Sequence, residues 1–594
     1  MSEIHDRGGR AMAGGYRMEG DVEVPMRDGT ILRADVYLPT GAGDGPWPAL
    51  LMRTPYDKTG SIDPAGGPDE RRATAAGYAV VRQDTRGRYA SGGDFVPFEA
   101  EADDGYDTVE WVAAQDWCDG NVGMIGASYV GYTQWMAASR RPPHLKAIAP
   151  VVATSDLHDF WIHEGGAPSL WFNQSWIMGS LGPDMTTRAY PGDADRLGRL
   201  ITAVDQLGDH LPDTPGAIDP ALEDAGIADA YRTWVDHPER DDYWRALSPR
   251  ESWSAIEVPS FNVAGWFDCF IGGSLANYTG MRAGGGTAAA RDGQRLLVGP
   301  WRHAFPLLAD PAGDAVFGIA SGGLGVDMPA LHLAFFDRWL KGRAPATDEA
   351  PVKLFVMGAN IWRDEPAWPL ERAVITDHYL RSGGRANTDW ADGYLSTVAP
   401  PADELPDSFI SDPSDPVPTI GGNLCCWQAV QEPGAFDQRD AEARDDVLVY
   451  TSAPLEADLE VTGPVSLSVF VSSTAPDFDV TAKLVDVFPD GMARNVCEGI
   501  RRARYRDGTA PGDAALLPPG EIAEIEVDLI ATANVFKAGH RIRLEVAASN
   551  WPRFDRNPQT GGPIAGETEL RTARQTIHHD AAHPSRLRLP IVPA

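Results

Sequence analysis

The stretch Asn121-Val-Gly-Met-Ile-Gly-Ala-Ser-Tyr-Val-Gly131 decides how this chain is read. An apolar run from Val122 to Ile125 ends at Gly126. Ser128 follows, then Gly131, and then Tyr132-Thr-Gln-Trp-Met-Ala-Ala-Ser139, whose composition suits a helix. A strand, a glycine-flanked turn carrying a serine, and a helix make up the layout of a nucleophile elbow. One detail departs from the usual G-x-S-x-G: the second glycine stands one place later.

The flanking sequence supports an α/β domain. Val22 to Met26 and Thr30 to Leu38, joined at Asp28-Gly29, read as a hairpin. Residues 1–20 read as a loose tail. Pro46 to Met52 and Tyr78 to Val81 read as short strands, and Arg71 to Ala76 and Asp104 to Gln115 as helices. Leu145 to Pro150 is a further strand. Alternating strands and helices imply a mostly parallel sheet. Residues 153–244 have few strand-like runs and many aromatics, and read as a helical cap inserted into that domain. Strands return at Val258 to Ala264 and Gln294 to Gly299. Pro329 to Leu340 is a helix stopped by Gly342. From about residue 350 period-two alternation dominates, in runs such as Val465 to Val471 and Arg541 to Ala547. That pattern predicts an all-β sandwich or jelly roll, with Pro400 to Pro418 as a long loop. The expected organisation is therefore an α/β domain over 1–152 and 245–349, a helical cap over 153–244, and a β domain over 350–594.

Composition narrows the partners. The 594 residues carry a formal net charge of −34, which repels nucleic acid and anionic membrane surfaces. Hydrophobic residues at 43% and charged residues at 23% are those of a globular chain with a sizeable core. No apolar run of about 18 residues predicts a membrane span, and Met1 to Arg7 hold no apolar leader region. A cytoplasmic location is the expectation. Five cysteines with no CxxC spacing predict reduced, mostly buried thiols and no structural zinc site.

A serine hydroxyl needs a base to take its proton, a group to orient that base, and donors for the oxyanion. In elbow-type hydrolases these follow in the chain order serine, acid, histidine. Val263-Ala-Gly-Trp-Phe-Asp268 places an acid just past a strand, and Leu297-Val-Gly-Pro-Trp-Arg-His303 places a histidine just past the next. Ser128, Asp268 and His303 are therefore the expected triad. The backbone N–H of Tyr129 is one expected oxyanion donor. The second normally comes from the loop after an earlier strand, here Arg53-Thr-Pro-Tyr56-Asp57. Tyr56 stands there either as a hydroxyl donor or as a packing residue. Cys269, beside Asp268, reads as a packing residue.

The residues resemble the CocE/NonD (cocaine-esterase-like) serine hydrolases, related to X-Pro dipeptidyl-peptidases, glutaryl acylases and α-amino-acid ester hydrolases. The resemblance rests on Arg53-Thr-Pro-Tyr56, Gln83-Asp-Thr-Arg-Gly87, Gly126-Ala-Ser-Tyr-Val-Gly131, Gly265-Trp-Phe-Asp268, Gly299-Pro-Trp-Arg-His303, Leu459 to Pro464 and Asn550-Trp-Pro-Arg-Phe-Asp555. It covers nearly the whole chain. It implies an α/β-hydrolase domain, an inserted cap and a C-terminal jelly roll. It implies the Ser128–Asp268–His303 triad with Tyr56 as an oxyanion donor through its hydroxyl, and no cofactor or metal. Phe270, Trp161, Trp171 and Trp176 are its candidate substrate contacts, and Asp310 and Asp314 are possible members of an ammonium-binding carboxylate cluster. The implied activity is hydrolysis of carboxylic esters through an acyl-enzyme. An X-Pro dipeptidyl-peptidase or an amide or β-lactam acylase is the alternative, and a non-catalytic carbohydrate-binding protein a remoter one. A small-molecule ester or amide is the expected partner, and a homodimer is compatible with the family.

Overall fold

The computed structural model describes residues 15–60, 67–211, 216–303, 311–323, 325–344, 350–387, 392–427, 430–563 and 565–593. Ten strands build the first sheet: β1 (Tyr16–Pro25), β2 (Ile31–Pro39), β3 (Trp47–Thr54), β4 (Ala79–Asp84), β5 (Cys118–Ala127), β6 (Leu145–Val151), β7 (Phe261–Phe267), β8 (Arg295–Arg302), β9 (Val352–Val356) and β10 (Ile361–Glu365). Their spatial order is β1-β2-β4-β3-β5-β6-β7-β8-β9-β10. The strands from β4 through β9 run parallel to one another, and antiparallel pairs close both edges. β3, β4 and β5 are buried along most of their length, as apolar runs covered on both faces must be. The covering helices include α1 (Glu70–Ala75), α2 (Glu101–Ala113), α3 (Tyr129–Ser139), α4 (Ile271–Gly284) and α5 (Met328–Lys341).

Three boundaries differ from the sequence expectation. Residues 16–20 belong to β1 and pair with β2 rather than trailing as a tail. Val352–Val356 pairs parallel with β8, so the first sheet continues past the expected boundary at 349. The alternation of Val352 to Met357 could not tell which sheet would receive it. Within the expected loop Pro400 to Pro418, Asp407–Ser411 is a strand paired with Ala573–His578. Its six prolines flank the paired residues, and of its acids only Asp407 lies within them.

The chain between β6 and β7 forms the insertion. Helices Leu170–Trp176, Gly182–Ala189, Ala194–Asp205, Pro220–Ala225, Ala228–Asp236 and Asp242–Ala246 make up most of it. A two-residue ladder, His163–Glu164 with Ala167–Pro168, precedes them. Trp161, Trp171, Phe172, Trp176, Trp234 and Trp244 are all buried in one cluster with Tyr129, Tyr132 and Phe270 of the hydrolase domain. The cap aromatics are therefore core, and that core reaches the elbow.

The C-terminal part is all β. Its eleven strands lie in one hydrogen-bonded set. The longest is Leu459–Ser473, which pairs antiparallel with Ala523–Phe536. The apolar cluster holding Val461, Leu467, Val469 and Leu529 also takes in Trp266, Phe267 and Phe355 of the first sheet. The Trp266 indole donates to the Phe355 carbonyl at 2.9 Å. The β domain thus shares a core with the hydrolase sheet. No helix among the described residues is long and apolar enough to cross a membrane.

The two glycines of the elbow have separate steric reasons. Gly126 has φ +139°, and a Cβ there would sit 2.2 Å from Val130 Cγ1. At Gly131 a Cβ would sit 2.4 Å from the Cβ of Ala153, where α3 crosses the chain leaving β6. The late second glycine is set by that crossing. Gly131→Ala should therefore destabilise the fold by about 1–3 kcal/mol through overpacking. Combined with Ala153→Gly, the loss in urea unfolding should be smaller than the sum of the single losses. Strict additivity would mean that the two positions do not meet.

Candidate active site

β5 ends at Ala127, and Ser128 turns the chain into α3 with φ 58° and ψ −125°. This is a costly conformation for a residue with a Cβ. The Ser128 N–H donates to the Val151 carbonyl at 2.9 Å, and the Ser128 carbonyl accepts from Gly131 and Tyr132. Gln134, buried on α3, donates to the Gly126 carbonyl at 3.1 Å and accepts from the Ala149 N–H at 2.9 Å. The serine is fixed from both sides of the turn.

Asp268 follows β7 and His303 follows β8, so both stand at the same sheet edge as Ser128. Ligand sites of parallel sheets form at this carboxyl end. His303 Nδ1 lies 2.7 Å from Asp268 Oδ1, and Nε2 lies 3.1 Å from Ser128 Oγ. Asp268 is fully buried. Asn423, from the β domain, donates through Nδ2 to the carbonyls of Trp266 and Asp268, each at 3.0 Å. Phe270 sets its ring edge-on to the His303 imidazole, with centroids 5.2 Å apart, and packs on Trp161 at 4.5 Å.

Tyr56 lies just past β3. Its hydroxyl oxygen accepts from the Trp176 indole N–H at 2.8 Å. Burial, the largest influence, pushes its pKa up, and the hydrogen bonds with Trp176 and Ser128 offset this only in part. The phenol therefore stays protonated and keeps its own O–H to donate. Tyr129 is the first residue of α3, so its amide belongs to the orphan donors at the helix start. Its phenol is buried, accepts from the Phe98 N–H at 2.8 Å and donates to Glu101 Oε1 at 3.0 Å.

The sequence-predicted residues Ser128, Asp268, His303, Tyr56, Tyr129, Phe270, Trp161 and Trp176 thus meet at one place. Trp176 serves there by orienting Tyr56. Trp171 does something else: its indole N–H donates to the Cys426 carbonyl at 2.9 Å, tying the cap to a β-domain loop. Asp314 is exposed, with its backbone paired to Ala435, while Asp310 lies outside the described residues. The expectation of reduced cysteines is corrected at one point, because neighbours Cys425 and Cys426 are joined by a disulfide. An odd count and the lack of a CxxC spacing say nothing about two adjacent cysteines. Cys118, Cys269 and Cys497 are free. Burial and the Asp268 carboxylate push the Cys269 thiol well above its usual range, so it is not a thiolate nucleophile. Among the described residues, Cys269, His303 and Cys425 have their ligand atoms within 4.8 Å of one another.

Sequence reasoning missed the support beneath the elbow. Arg53, fully buried, donates to Glu101 Oε2 at 2.8 Å and to Gln83 Oε1 at 2.8 Å. Arg88, also fully buried, donates to the Pro55 carbonyl at 2.8 Å and the Leu181 carbonyl at 3.0 Å, joining the Tyr56 loop to the cap. Arginine and glutamate in helix- and strand-like runs read as surface residues. Only the packing of α2 on α3 brings them inside.

The chain is similar to known proteins over nearly its whole length. Residues 28–305 match the family model described as X-Pro dipeptidyl-peptidase (S15 family), and residues 345–588 match its C-terminal non-catalytic domain. A cocaine esterase from Rhodococcus sp. (strain MB1 Bresler) is 42% identical over 98% of this chain and 99% of its own. The chain belongs to the CocE/NonD family of serine hydrolases. It is a serine ester hydrolase, with an α/β-hydrolase domain followed by the family's C-terminal β domain. An aminopeptidase from a marine sediment archaeon, Thaumarchaeota archaeon, superposes with a TM-score of 0.80 at 25% identity, covering 100% of this chain and 99% of that one. An α-amino acid ester hydrolase superposes with a TM-score of 0.77 at 26% identity, with the same coverage.

The network beneath this family site yields a stability prediction. Arg53→Met strips a buried carboxylate of its counter-charge, and breaking a buried pair in this way costs about 3–5 kcal/mol. Chemical denaturation should show that loss. A change of under about 1 kcal/mol would mean that the pair contributes no net stability.

Proposed function

We propose that Ser128 is the nucleophile of an ester hydrolase, with His303 as its general base and Asp268 as the group that orients His303. The continuous run of hydrogen bonds from Asp268 through His303 to Ser128 carries this reading. With Nδ1 donating to Asp268, Nε2 is left as an acceptor facing Ser128 Oγ. His303 takes the serine proton as Oγ attacks the ester carbonyl, and Asp268 stabilises the imidazolium. The tetrahedral oxyanion is received by the Tyr56 hydroxyl and the Tyr129 N–H. Trp176 supports this role, because a Tyr56 oxygen already occupied by an indole donor aims its own proton elsewhere. His303 then protonates the leaving alcohol, and later activates the water that frees the acid.

Phe270, Trp161 and Phe172 pack ring against ring beside His303, an apolar setting that favours an aromatic or bulky apolar acyl group. An aminopeptidase or acylase reading needs a buried acid to receive a substrate ammonium. Glu164 comes nearest: it is buried beside Trp161, Phe172 and Cys269, and its Oε1 has no partner among the described residues. Its Oε2 is already paired with Arg553 at 2.9 Å. Its charge is thus already matched by the buried Arg553 guanidinium. A neutral ester is the better fit.

Ser128→Ala should abolish turnover of p-nitrophenyl butyrate while circular dichroism stays unchanged; wild-type turnover by that variant would remove Ser128 from the reaction. Tyr56→Phe should lower kcat on the order of 10²-fold, the effect of losing one oxyanion donor. An undiminished kcat would assign Tyr56 to packing alone. Aryl esters should be cleaved far faster than Gly-Pro-p-nitroanilide, and the reverse order would favour the peptidase reading.

A further inference from the structure

The loop Asn423 to Trp427 reaches from the β domain into the catalytic site. Asn423 is clamped to the carbonyls of Trp266 and Asp268. Cys425 is buried in the aromatic cluster that holds Tyr129, Trp161 and Phe270. Cys426 is fixed through its carbonyl by the Trp171 indole, and Trp427 donates to Asp205 Oδ1 of the cap at 3.1 Å. Opposite this loop, Cys269 Sγ lies 3.8 Å from His303 Nδ1 and 3.6 Å from Asp268 Oδ1.

We propose that this cluster is an inhibitory site for a soft divalent cation of the zinc and cadmium class, held by Cys269, Cys425 and His303 and closed off when Cys425 and Cys426 are joined as a disulfide. Thiolate and imidazole are the ligands such ions prefer. The three ligand atoms lie within 4.8 Å of one another. Around a tetrahedral ion with sulfur at about 2.3 Å, they would stand roughly 3.8 Å apart. Closing that gap takes about an ångström of side-chain movement. Two features favour positive charge at this point. Asp268 supplies a buried carboxylate, and its Oδ2 has no partner among the described residues. The loop bearing Cys425 is held against the Asp268 loop by Asn423, so the ligands are brought together before any ion arrives.

Binding would replace the protons of two thiols, releasing two protons as two metal–sulfur bonds form. A neutral imidazole has one lone pair. Once it binds the ion, His303 has none left to accept the Ser128 proton. In the disulfide state Cys425 offers no thiolate, leaving only Cys269 and His303. Reduction by a phosphine, which takes oxygen from water to become the phosphine oxide, delivers two electrons and two protons to the pair and opens the site.

The effect on rate rests on His303 being the base, whereas metal binding does not, so two readouts separate the two readings. The phosphine-reduced full-length enzyme is titrated with CdCl₂ while the ultraviolet Cd–thiolate charge-transfer band and p-nitrophenyl butyrate hydrolysis are followed together. The band should saturate near one equivalent as hydrolysis is lost in step, and EDTA should restore both. Cys269→Ala and Cys425→Ala should each raise the half-inhibiting Cd²⁺ on the order of 10²-fold, read as the ratio of rates with and without metal in each variant. The disulfide form of the wild type should resist to a similar degree, which needs no variant to fold. Hydrolysis that persists while the band saturates overturns the proposal. So does inhibition that is equal in the reduced and disulfide forms, or no band at all.

Discussion

The structure depends on holding Ser128 in a backbone conformation it would not choose. At φ 58° the serine presents its hydroxyl above the carboxyl end of β5 while the chain reverses into α3. Such a turn persists only when its surroundings over-determine it. Here the surroundings are the Val151 carbonyl on the serine N–H, Gln134 bridging β5 and β6, and two glycines that admit Val130 and Ala153. Each acts on the backbone, and together they place the hydroxyl where His303 Nε2 reaches it.

A second layer holds the first. Tyr129 follows Ser128, and its phenol is anchored to Phe98 and Glu101, with Glu101 anchored in turn by Arg53. Burial pushes the Glu101 carboxyl upward, and the Arg53 guanidinium opposes that. Buried charge of this kind contributes little net stability compared with apolar packing, yet removing one partner is expensive. The network therefore rigidifies the start of α3, where the Tyr129 amide lies.

All three parts of the molecule supply the site. The hydrolase sheet gives Ser128, Asp268, His303 and Tyr56. The cap gives Trp176, which orients Tyr56, and Trp161, which walls the pocket. The β domain gives Asn423 and the Cys425–Cys426 loop. The family description calls the C-terminal part non-catalytic, yet in this chain its Asn423 holds the carbonyls of Trp266 and Asp268.

Strand ends, chain order and turn chemistry are local, and the sequence by itself determined what depends on them. The elbow, the acid past β7, the histidine past β8 and the change from helical to alternating texture were all legible in it. Tyr56 stood in its loop as a hydroxyl donor or a packing residue, and only the family resemblance favoured the donor. What depends on which surfaces meet was decided only by the tertiary structure. Arg53 and Glu101 carry no mark of burial, Val352–Val356 could have joined either sheet, and Trp176 reads as a ligand contact until its indole is seen on Tyr56. The cysteines show the same limit. Five thiols scattered over the chain read as inert packing, and only folding brings Cys269, Cys425 and His303 together. Side-chain partners separated by hundreds of residues leave no periodic signal, because their meeting is fixed by the packing of whole layers.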